Sequence, residues 1–141
     1  MVLETVKRTC VAATEYGAVN FTDPKGVPTT SGEGSPGWNY HPHAFFPPEV
    51  VMLGMTYMYE GEKEFGLELC RRCWANIVQN GMAWDQPNII RGDTGERVYG
   101  GDYYQNMMLW AIPAALIGRD LSGPCAPGGL VDRVIQAATE G

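Results

Sequence analysis

The chain has 141 residues, 45% of them hydrophobic and 18% charged, with a formal net charge of -6. This is the composition of a folded domain with one modest core, not of a disordered chain. With acids in excess and no Lys/Arg cluster, nothing offers counterion release to a phosphate backbone, so nucleic acid is excluded as a partner. No apolar run reaches the ~20 residues a bilayer span needs.

Residues 2–15 place Val2, Val6, Cys10 and Ala13 near helical spacing, and Gly17 is the expected C-terminal cap. The opening "MVLETVKRTCVAATEYG" carries Glu4, Lys7 and Arg8 without an apolar core, which is not a secretory pattern. A Gly-, Pro- and Ser-rich loop follows from Asn20 to Pro47, too long and too aromatic for a plain connection. A second helix is predicted from Pro47 to Gly61, with prolines suited to its first turn and Glu49 favourable to its dipole. A third, from Glu62 to Asn80, carries Phe65, Leu69, Cys73 and Ile77 on one face and stops at Gly81. After a polar loop from Met82 to Gly101, a fourth helix is expected to open at Asp102 as its N-cap. It would carry Met107, Trp110, Ala111 and Ala114 towards the core, with a kink or reset at Pro113. A last helix from Leu130 to Ala138 keeps Leu130, Val131, Val134 and Ile135 together. No run of alternating β-branched residues marks a strand, so the expected class is all-α, with the long loops gathered on one rim.

Four cysteines are too few for a disulfide scaffold. Cys70 and Cys73, three apart on a helix, read as buried small thiols, since a redox pair needs a preceding strand and a zinc site needs two further ligands. His41 and His43 flank a proline with no third ligand nearby, so no metal and no cofactor is expected. The densest polar run holds Asp85, Asn88, Asp93, Glu96, Arg97 and Asp102, interleaved with Trp84, Tyr99, Tyr103 and Tyr104. Rings beside carboxylates and amides suit a sugar, whose apolar face packs on a ring while its hydroxyls take the polar groups; the other reading is a solvated loop over core tyrosines. No spacing forces Asp85 to face Glu96 or Asp93 as an acid/base pair.

The order "PPEVVMLGMTYMYEG", "GLELCRRCWANIV", "WDQPN" and "GERVYGGDYYQNMMLWAIPAAL" resembles the C-terminal part of the catalytic domain of glycoside hydrolase family 116, which includes the non-lysosomal glucosylceramidases and microbial β-glucosidases. Gly54, Thr56 and Tyr57 fit the family's Gly-x-Thr-Tyr helix, Pro87 its loop proline, and Arg97 its arginine nine residues after the loop acid. Tyr103 precedes Trp110 by seven, as in the family, and the match covers 46–116. Asn88 stands where the family has glutamate, Gln105 and Asn106 replace an Arg-Pro, and "VYGGD" holds a two-residue insertion, as in a divergent microbial member.

The resemblance implies that residues 1–141 form a single unit, part of an (α/α)6 barrel whose remaining helices lie upstream. It also implies a retaining β-glycosidase acting on a β-glucoside or related glycoside, its two catalytic carboxylates upstream and absent from this chain. The substrate-binding residues it points to are Asn88 and Arg97. Glu49, near the start of the Glu-Val helix, reads equally as a hydroxyl contact or a first-turn acid. Trp84, Asp85 and Tyr104 join the candidate set from the polar and aromatic run. The competing expectation is a non-catalytic all-α carbohydrate-binding or scaffolding module.

Overall fold

The structure is a computed structural model that describes residues 2–30, 41–101 and 104–139; the side chains of 104–107 are outside the description. Asp102, Tyr103 and the part of the first loop holding Trp38 and Tyr40 lie outside the described residues.

The N-terminal helix α1 (Val2–Val6) widens into a π turn (Lys7–Val11) and stops there. Ala12 N donates to Lys7 O at 3.1 Å, closing the wide turn. The helix does not run on to residue 15, because the Thr14 hydroxyl donates to Gly92 O at 2.6 Å and accepts from Tyr16 N at 3.1 Å, drawing the chain into tertiary contact. Gly17 is not a left-handed cap. It lies against Phe45 and Val50, where an added Cβ would stand 3.0 and 3.1 Å from their side chains.

Two long helices form the frame, α2 (Pro47–Tyr59) and α3 (Lys63–Gln79). Pro47 begins α2 with its missing N–H, and Gly61 at φ 97° and Gly81 at φ 70° end the two helices as predicted. They pack as an antiparallel hairpin through a crossing of small residues. A Cβ on Gly54 would collide with Cys70 Sγ and stand 2.8 Å from Gly66 O, and one on Gly66 would collide with Gly54 O. Around that crossing the core gathers Phe45, Val50, Tyr57, Leu69, Cys73, Ile77 and Ile90. The Tyr57 ring meets Phe65 edge-on at 4.7 Å, and its hydroxyl donates to Leu3 O at 2.7 Å, tying α1 to the hairpin.

The all-α expectation needs correction: the fold is mixed, mostly helical with a small antiparallel sheet. Strand β1 (Ala44–Phe45) pairs with β2 (Ile89–Arg91), which pairs with β3 (Arg97–Tyr99). Phe45 opposes Ile90, and the β2–β3 register shifts between Ile89 and Ile90. Strands of two and three residues leave no alternation to read, and Ile89 and Ile90 are both buried, which hides the period of two. The sheet joins the two long loops, since β1 ends the first and β2 and β3 belong to the second.

The fourth helix also departs from expectation. Tyr104–Ala111 is a 3-10 helix, and α4 (Ile112–Leu116) begins afresh with Pro113 in its first turn, the predicted reset. Met108, Leu109 and Ile112 pack with Val51, Met58 and Ala115. Trp110, expected in the core, is 81% exposed. The last helix α5 (Leu130–Thr139) forms as predicted but buries no residue, so its apolar side faces solvent. Among the described residues no helix is long and apolar enough to cross a membrane.

Candidate recognition site around Arg97

Two strands and the loop before them build the site. The β2–β3 hairpin turns through Gly92–Gly95, with Gly95 N donating to Arg91 O at 2.8 Å and Arg91 N to Glu96 O at 2.9 Å. Gly95, at φ 75°, lies against the buried Asn76, whose amide donates to Gly95 O at 3.0 Å. The turn is thereby pinned to the C-terminal end of α3. Arg91 holds Asp93 through two hydrogen bonds of 2.9 and 2.6 Å, which keep that carboxyl well below the usual carboxylate range.

At the open end of the hairpin, Asn88 N donates to Tyr99 O at 3.1 Å, and Gly100 at φ 80° rests on the Asn88 side chain. Arg97 crosses to the preceding loop, donating through Nη1 to Asp85 Oδ2 at 2.6 Å and through Nη2 to Asp85 O. Gly101 lies so close to the Asp85 carboxylate that a Cβ there would collide with it. The structure thus brings Arg97, Asp85 and Asn88 together around two glycines that leave the backbone free to approach. Asn88 Oδ1 is buried with no hydrogen-bond partner, an unmet polar atom under the hairpin's end. Trp84, immediately before Asp85, is 95% exposed, and Tyr99 is 63% exposed.

One sequence candidate stands apart from this cluster. Glu49 is exposed as a residue, yet it lines a small cavity of about 200 Å³ with Val6, Cys10, Val19 and Leu53, and burial against that wall pushes its carboxyl's pKa up. It therefore belongs with the N-terminal segment, not with Arg97. Tyr104 opens the 3-10 helix, and its side chain lies outside the described residues.

The acids of the polar run are each engaged differently: Asp85 with Arg97, Asp93 with Arg91, and Glu96 with Thr94, whose hydroxyl lies 3.1 Å from it. The geometry offers a guanidinium and a carboxylate that hydrogen-bond and, in the preceding residue, an exposed indole that can stack. Cys70 and Cys73 are buried free thiols whose pKa values are pushed up to about 11 and about 12, by burial first, and for Cys73 by Cys70 as well. Such thiols pack; they do not attack. The His43 backbone N–H donates to His41 Nδ1 at 3.2 Å, and among the described residues no cluster of three or more His, Cys, Asp or Glu is placed to hold a metal ion.

Sequence reasoning missed Asn76 and Thr14, the polar groups that pin the hairpin turn. An amide in the last turn of a helix and a threonine after another helix carry no local mark of a partner nearly twenty or eighty residues away. Comparison with protein-family models, with curated proteins and with solved structures finds no match to the chain.

Proposed function

We propose that this chain is the glycone-recognition part of a retaining β-glycosidase of the glycoside hydrolase family 116 kind, acting on β-glucosides or related glycosides. The observation that carries the reading is the ion pair of Arg97 and Asp85, with the exposed Trp84 next to Asp85 in the chain. A guanidinium donates to sugar oxygens, a carboxylate accepts from sugar hydroxyls, and an indole covers the apolar face of a pyranose. In this reading the nucleophile and the acid/base are carboxylates supplied upstream. The α2–α3 hairpin is one helical pair of an (α/α)6 barrel, and the exposed apolar side of α5 faces barrel helices outside this chain.

A second reading, a non-catalytic carbohydrate-binding module, draws on the same exposed Trp84, because an indole platform binds sugar without any acid/base pair.

One experiment separates them. The full reading frame is assayed on aryl β-glucosides beside Arg97→Ala, with methyl β-glucoside binding followed by tryptophan fluorescence. Under the first reading the enzyme turns over and the variant loses about 10-fold or more in kcat/KM, the value of one charged hydrogen bond. Binding without turnover selects the second reading, and turnover unchanged in the variant removes Arg97 from the site.

A further inference from the structure

At the turn end of the hairpin, opposite Asn88 and Gly101, an open cavity of about 480 Å³ lies between the segment after α1 and the side of α3. Its walls include Thr14, Glu15, Tyr16, Arg72, Gly92 and Asp93. That volume falls within the ordinary range for a small-molecule site.

Arg72 gives the cavity its chemistry. It rises from α3 half-buried, and one guanidinium nitrogen, Nη2, donates to Gly17 O at 2.9 Å and reaches Val11 O at 3.5 Å. Both acceptors are neutral carbonyls. Its Nε is buried without a partner, and among the described residues no carboxylate lies within ion-pair distance of it. Burial lowers its pKa, and Glu68, one turn earlier on the helix, offsets this only in part. Glu15, also in the lining of this cavity, is exposed and likewise without an ion-pair partner among the described residues. Asp93 is already neutralised by Arg91.

The cavity therefore presents two charges of opposite sign, each without an ion-pair partner among the described residues, and the carbonyls of Val11 and Gly17 hold the guanidinium in place. A doubly charged anion would suit Arg72 but would meet Glu15. We propose that this cavity binds a small zwitterion of the amino-acid kind, its carboxylate on Arg72 and its ammonium on Glu15, with the Tyr16 ring as a side wall. The site is separate from the Arg97 cluster and does not depend on the function assigned to that cluster.

The test is an NMR titration of the isotope-labelled chain with alanine, with acetate and with ethylammonium, following the amides of Thr14, Tyr16 and Gly92. Alanine should shift them saturably in the millimolar range and bind about fivefold more tightly than acetate, the upper value for a solvent-exposed charge pair. Glu15→Gln should erase that preference, and Arg72→Met should abolish binding of both. The proposal fails if alanine produces no saturable shift, if the preference for alanine survives Glu15→Gln, or if a folded Arg72→Met variant still binds. If Arg72→Met does not fold, since Arg72 also braces two carbonyls, Glu15→Gln at the surface decides the matter alone.

Discussion

Asn76 is buried near the end of α3, and its amide joins the β2–β3 turn to the residue that ends the helix. Its Nδ2 donates to Gly95 O at 3.0 Å, while its Oδ1 accepts from Asn80 Nδ2 at 2.9 Å. Replacing it with leucine keeps the branched shape and abandons both partners, so Asn76→Leu should cost about 1–3 kcal/mol. Urea unfolding measures this, and a midpoint unchanged at constant slope would show that the turn does not need the amide. At this scale the sequence was partly legible. Arg97, Asp85 and Asn88 stood out because a polar run between helices has few structural duties, and the structure does gather them. Glu49, read equally as a hydroxyl contact or a first-turn acid, lines the cavity beside the N-terminal segment, which its sequence context does not show because a first-turn acid looks the same whichever loop it faces. Trp110 was misread because the helical period used to place it inside assumes an α-helix, and the segment is 3-10 with three residues per turn.

Among the elements, α2 and α3 were legible almost to their ends, because the signals are strong and local: a proline at the start of one and left-handed glycines after both. The sheet was not, because its strands are created by a pairing between two loops and have too few residues to display a pattern of their own. The hairpin crossing makes a sharp prediction. A methyl group on Gly66 would meet Gly54 O and stand 2.8 Å from Met58 Cγ, and a backbone oxygen inside a helix cannot step aside. Gly66→Ala should therefore destabilise the fold by about 1–3 kcal/mol, even though alanine is the better helix former by about 1 kcal/mol. Thermal melting followed by circular dichroism reads the result, and a raised melting temperature would mean that the helices do not cross where the structure puts them.

Over the whole molecule, stability is concentrated in the first two thirds of the described chain, where α1, the α2–α3 hairpin and the sheet share one core. The 3-10 segment and α4 add a second, smaller cluster on the outer side of α2. Beyond Arg119 nothing described is buried, although Tyr59 donates its hydroxyl to Arg119 O at 2.8 Å and marks the last firm attachment. A chain ended after Arg119 should accordingly keep its melting temperature to within about 2 °C, less than the shift expected of a 1 kcal/mol loss in a domain of this size. A larger drop would show that α5 docks on the body. The apolar stripe of α5 was legible and its destination was not: Leu130, Val131, Val134 and Ile135 line up as a core face would, and the described residues supply no core to receive them.

The crossing of Gly54 and Gly66 also sets what descent can do with this hairpin. Each glycine is held small by the other's carbonyl oxygen, so neither position can accept a side chain while its counterpart's backbone stays where it is. No second substitution at the partner restores the space, because the obstacle is main chain and every residue has one. The two positions should persist together as glycine through any lineage that keeps the hairpin, while Cys70, whose closest approach to Gly54 is its sulfur, is free to drift to alanine or serine.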